Sequence, residues 1–255
     1  DARAFNQDLS GWERQNGVNG ATSTSTLGNV NNMDSMFFGA RAFNNGDSGN
    51  NQAKPLNNWN VSAVTNMHDV FFSADAFNQD ISGWDVSNVI NMEGMFQHAL
   101  IFNQDISGWD VGNVTDMDAM FQSAVAFNKD ISSWNVSNVT TMIAMFFGAT
   151  IFNNGDSGNN EAKPLNNWNV SNVTRMDDVF REANAFNQDI SQWNVSKVTN
   201  MYGMFREADA FNQDISQWNV SAVTDMDYMF YQATDFNNGD SGNNGLKPLN
   251  HWNCG

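Results

Sequence analysis

Oxygen-bearing side chains dominate the residues that could do chemistry. An Asn-Asn-Gly-Asp-Ser-Gly-Asn-Asn segment occurs three times, starting at Asn44, Asn153 and Asn237. It alternates carboxamide, carboxylate and hydroxyl groups around glycine, and hard cations prefer such ligands. The candidate calcium ligands are Asn45, Asp47 and Asn50 in the first copy, Asn154, Asp156 and Asn159 in the second, and Asn238, Asp240 and Asn243 in the third. The EF-hand pattern, with its terminal Glu, is not matched. A polar, glycine-bent Ω-like loop without an ion fits the same residues. Each copy leads into Lys-Pro-Leu, at Lys54-Pro55-Leu56, Lys163-Pro164-Leu165 and Lys247-Pro248-Leu249. Even as a plain loop, an insertion recurring on one edge is a place for partner contact.

A second series of carboxylates, Asp8, Asp80, Asp105, Asp130, Asp189 and Asp214, recurs at one position of a repeated unit. Each is expected to accept a hydrogen bond from the backbone two residues on, an Asx-turn. Cations bridging neighbouring units are the alternative, since like charges about 5 Å apart repel. A third series is Asn60, Asp85, Asp110, Asn135, Asn169, Asn194 and Asn219. This polar row is the candidate ligand-binding surface, because amides and carboxylates in a row suit sugars, cations or a polar protein face. Asn60, Asn113, Asn135, Asn138, Asn169, Asn172, Asn194 and Asn219 begin Asn-Val-Ser or Asn-Val-Thr triplets. As glycan acceptors they would crowd one another; as repeat consensus they need no glycan. Catalytic constellations are absent from the pattern. His68, His98 and His251 lie far apart along the chain and are expected at exposed or loop positions. The single cysteine, Cys254, falls in a valine column and reads as a small buried hydrophobe.

The elements that must carry these groups are repeats. One unit runs from Phe77 through Asn78-Gln79-Asp80-Ile81-Ser82-Gly83-Trp84-Asp85-Val86 to Val89, Met92, Met95, Phe96 and Ala99. Later units open at Phe102, Phe127, Phe152, Phe186, Phe211 and Phe236, and longer units open at Phe5, Phe43, Phe152 and Phe236. All 9 Trp fall in one column, so these rings are core rather than a binding platform. The apolar-x-apolar triplet Trp84-Asp85-Val86 predicts a short strand with Asp85 outward. Met92, Met95, Phe96 and Ala99, at i, i+3, i+4 and i+7, predict one face of a short helix. The expected fold is therefore an α/β solenoid: a right-handed, leucine-rich-repeat-like stack of about nine coils, with a parallel sheet of short strands on one face and short helices on the other. It spans 1–255 as one array. The chain starts with Asp1 and begins and stops inside a repeat, so we expect it to be a fragment of a longer array.

The strings Phe-Asn-Gln-Asp-Ile-Ser-x-Trp-Asn/Asp-Val-Ser-Asn-Val-Thr and Met-x-x-Met-Phe resemble the BspA-type leucine-rich-repeat surface proteins, which include mycoplasma surface lipoproteins. That resemblance covers essentially the whole chain and implies a cell-surface repeat used for adhesion or structure; it carries no catalytic residue and no ligand. Net charge of -17 argues against nucleic acid and anionic membranes as partners. No apolar run suggests direct membrane insertion. The expected function is thus non-enzymatic: an extracellular structural or adhesive repeat, with itself as partner through end-to-end or lateral assembly, or a surface protein or glycan bound on a concave polar strand face. Calcium is the one cofactor the residues suggest.

Overall fold

A computed structural model of the chain describes residues 2–10, 27–47, 56–156, 163–240, 249 and 252. Successive repeats lie side by side in register, and the apolar columns become internal files. One file of stacked rings runs Phe5, Phe43, Phe77, Phe102, Phe127, Phe152, Phe186, Phe211 and Phe236, with centroids 5.7–6.0 Å apart. A second runs Phe37, Phe71, Phe96, Phe121, Phe146, Phe180, Phe205 and Phe230, at 5.4–5.7 Å. Both continue past the insertions, which therefore leave the core register untouched. Apart from the partly buried Met36, the Trp, Val, Met and Phe columns are buried from Met33 to Val223, as their periodicity predicts.

The secondary structure differs from expectation. The α/β reading, with strands forming a parallel sheet and helices opposite, is overturned: the described residues contain no helix and no sheet. Their β pairing consists of isolated parallel bridges, Asn32 to Asn66 to Asn91 to Asp116 to Thr141 to Arg175 to Asn200 to Asp225. These bridges sit at the start of the expected helix, not at the expected strand Trp84–Val86.

The hydrogen bonds give the reason. In the segment 91–99, amides alternate between two kinds of acceptor. Those of Met92, Gly94, Phe96 and His98 donate to the next coil, at the carbonyls of Asp116, Asp118, Met120 and Gln122 (2.8–3.0 Å). Those of Met95, Gln97 and Ala99 donate three residues back, to Met92, Gly94 and Phe96 (2.9–3.2 Å). A helix would send every amide four residues back. The alternation requires a left-handed residue every fourth position. Gly94 (φ 61°) and His98 (φ 57°) supply it here, as Ser35 and Gly39, Asp69 and Ser73, and Gly203 and Glu207 do in other coils. The result is a ribbon of tight turns that buries Met92, Met95, Phe96 and Ala99 on one side. It mimics the burial pattern of a helix without being one.

Candidate functional site

The polar row is built by turns. The side-chain oxygens of Asn60, Asp85, Asp110, Asn135, Asn169, Asn194 and Asn219 each accept the amide two residues on, at 3.0–3.2 Å. All seven residues are exposed. The structure thus brings the candidate ligand row together as one file on the surface, though on turns rather than strands. Beside it, Asn88, Asn113, Asn138 and Asn172 donate through Nδ2 to the carbonyls of Ser62, Ser87, Gly112 and Ser137 in the preceding coil, at 2.7–2.8 Å. In Asn113, Asn138 and Asn172 the nitrogen that a glycan would take is therefore already a fastening between coils. Lys197 stands in this file where Asn88, Asn113, Asn138 and Asn172 stand in earlier coils, and its ammonium donates to Asn172 Oδ1 (2.8 Å).

The second carboxylate series forms the expected Asx-turns. Asp8, Asp80, Asp105, Asp130, Asp189 and Asp214 accept the amides of Ser10, Ser82, Ser107, Ser132, Ser191 and Ser216, at 2.9–3.0 Å. Hydrogen bonds from Ser107 hold Asp105 below the usual carboxylate pKa. Burial works against the charge on Asp80, but bonds from Ser82 and Asn57 outweigh it and lower its pKa too.

The insertions begin with a turn whose chemistry explains their Asn-Gly pairs. Asn45 and Gly46, Asn154 and Gly155, and Asn238 and Gly239 all have positive φ, 50–82°. The amides of Asp47, Asp156 and Asp240 close each turn on Asn44, Asn153 and Asn237 (3.0 Å). Two left-handed residues in succession are what Asn-Gly favours. Asn45, Asn154 and Asn238 are buried. Their carboxamide oxygens accept the amides of Leu9 (2.6 Å), Ile131 (2.8 Å) and Ile215 (2.9 Å), which fastens each insertion to the coil before it. Asn50, Asn159 and Asn243 lie outside the described residues, as do His251 and Cys254. Among the described residues, no group of three or more His, Cys, Asp or Glu is placed to hold a metal ion.

Two features were missed from sequence. The asparagine after each Phe of the first ring file carries a ladder: Asn78, Asn103, Asn128, Asn153, Asn187, Asn212 and Asn237 each donate their amide to the side-chain oxygen of the equivalent residue one coil earlier, at 2.8–3.0 Å. The signal was the Phe-Asn pair itself, present in every unit. The second is His68, expected at an exposed or loop position, which is half-buried and stands among carboxylates of three coils. Acidic residues also enter the turn ribbons elsewhere. Burial pushes Asp118 up to about 6, against hydrogen bonds from Thr141 Oγ1 (2.6 Å) and the Ile143 amide (2.7 Å). Burial likewise raises Asp178.

Fold and files together define a tandem-repeat protein whose turn-built coils are fastened one to the next by side-chain and backbone hydrogen bonds. The family described as Mycoplasma protein of unknown function, DUF285, matches residues 1–49, 14–87, 47–159 and 154–253, and the chain belongs to this repeat family. No curated protein matches it.

Proposed function

We propose that this chain is a non-enzymatic structural or adhesive repeat of the cell surface that assembles with copies of itself. The observation that carries this reading is the direction of the files. In each interior turn ribbon, amides are given to one neighbouring coil while carbonyls are taken up by the other. Such a ladder is polar and has no built-in stop; the contacts that add one coil to the next are equally suited to adding one copy to the next. The resemblance to BspA-type surface proteins supports the extracellular placement, and the exposed row of amides and carboxylates from Asn60 to Asn219 supplies a hydrated outer face. Sedimentation velocity across a wide concentration range, with negative-stain microscopy of the same samples, tests the proposal. Concentration-dependent, end-to-end oligomers are the expected result. A chain that stays monomeric at every concentration, with and without calcium, overturns it.

A further inference from the structure

Of the two histidines among the described residues, His68 and His98, His68 is the one that stands within ion-pair reach of carboxylates. Its Nδ1 lies 3.1 Å from Asp34 Oδ1, in the preceding coil. Its Nε2 lies 3.5 Å from Asp69 Oδ2 in its own coil and 3.7 Å from Glu93 Oε2 in the following one. One imidazole therefore faces a carboxylate from each of three successive coils. The equivalent position holds Asp118, Ile143, Asp177, Tyr202 or Asp227 in other coils, so this arrangement is particular to this place.

The carboxylates are held in position. Ser35 Oγ donates to Asp34 Oδ1 (2.7 Å). Asp69 lies directly over the backbone of Gly94 in the next coil: a Cβ on Gly94 would come within 2.0 Å of Asp69 Oδ1. With a neutral imidazole, three negative groups would share this small volume in a chain already carrying a net charge of -17. With an imidazolium, each coil has an opposite charge to face.

We propose that His68 is a pH-operated staple: protonated, it binds the turn ribbon 32–40 to the ribbons 66–74 and 91–99, and on losing its proton it loosens that edge. The electrostatics point the same way. Burial opposes the charge on His68, but the hydrogen bond to Asp34 and the charges of Asp69, Glu93 and Asp34 outweigh it and raise its pKa above the ordinary imidazole value. A raised folded-state pKa means stabilisation fully present below the unfolded value of about 6.5 and lost as pH rises through the folded one. Asp34, hydrogen-bonded to Ser35 and His68, is lowered, so its contribution disappears only in more acid solution, below about 3.8. Burial raises Asp69, whose ionisation adds a cost that a nearby proton on His68 relieves. The staple is therefore closed at mildly acid pH.

Hydrogen exchange of the full chain reads this locally. The amides of Ser35, Phe37 and Gly39 donate to His68, Val70 and Phe72 and report whether the ribbon is fastened. After correction for intrinsic exchange, their protection should fall between pH 5.5 and pH 8.5 by about tenfold for each unit by which the His68 pKa is raised. Amides far along the stack, such as Phe180 and Phe205, should not follow. In His68→Gln, which keeps a polar side chain of similar reach, the drop at residues 35–39 should vanish. Glu93→Gln should shrink it and shift its midpoint downward. An equal pH-dependent drop in wild type and His68→Gln, or no drop in wild type, overturns the staple.

Discussion

At Gly94 and Gly39 the same left-handed backbone meets two different surroundings. Gly94 (φ 61°) lies under the Asp69 carboxylate, whereas nothing stands within 4 Å of where a Cβ on Gly39 (φ 67°) would project. Alanine at Gly39 should therefore cost only the conformational penalty, about 1–2 kcal/mol. Alanine at Gly94 should cost more, because Asp69 must leave its seat. Ala119 and Ala144 occupy the column of Gly94 with φ of 53°, so a methyl group is acceptable there when no aspartate lies over it. The double change Gly94→Ala with Asp69→Ser should accordingly recover most of the difference. Thermal melts of the two single variants and the double variant measure this; equal losses at Gly39 and Gly94 would show that the carboxylate is not seated as described.

At the level of the element, the asparagine ladder makes unequal demands on its members. Asn103 Oδ1 accepts the Asn128 amide (3.0 Å). Asn128 Oδ1 accepts two amides, Asn153 (2.9 Å) and Gly155 (2.8 Å), while its Nδ2 donates to the Asp156 carbonyl (2.9 Å). Asn128 thus holds both the next coil and the entry turn of an insertion. Each backbone group left without its partner costs about 1–3 kcal/mol. Asn128→Ala should lower the unfolding free energy by about 3 kcal/mol or more, and Asn103→Ala by about 1 kcal/mol, in denaturant titrations read at constant slope. The same element shows what sequence could and could not tell. Columns of Trp, Phe, Met and Val were legible because burial imposes their types, and Asx-turns were legible because Asp and Ser recur two residues apart. The turn ribbon was not. Burial at i, i+3, i+4 and i+7 is shared by a helix and by successive four-residue turns, and the distinguishing left-handed positions are only partly glycine: Gly39, Gly94, Gly148 and Gly203 share their two columns with Ser35, Asp69, Ala119 and Glu182. The polar row Asn60 to Asn219 was found in register because its spacing is that of the core, whereas the His68 cluster depends on which coils adjoin at a single non-repeating position.

Over the whole molecule, 28 acidic residues face 11 basic ones. The Asp80 and Asp105 turns, like the Asp85 and Asp110 turns, set like charges at equivalent places in adjoining coils, about 5 Å apart by the spacing of paired backbones. The arginine and lysine ion pairs among the described residues are partly exposed, at 2.8–3.9 Å, and contribute little to offset this repulsion. Raising salt from about 0.01 to 0.15 M shortens the screening length from about 30 to 8 Å, which weakens the repulsion between adjoining coils and largely screens that between coils further apart along the stack. The melting temperature should therefore rise with sodium chloride, by about 2–4 °C for each kcal/mol of repulsion relieved in a chain of this size. Calcium chloride at matched ionic strength tests whether the insertions add a specific site. The carboxamide oxygens of Asn45, Asn154 and Asn238 already accept backbone amides, so the calcium response of Asp47→Asn, Asp156→Asn, Asp240→Asn should equal that of the wild type apart from its three lost charges. A calcium-specific rise that disappears in this triple variant would instead make those turns ion ligands, with the fastening to Leu9, Ile131 and Ile215 serving to set their geometry.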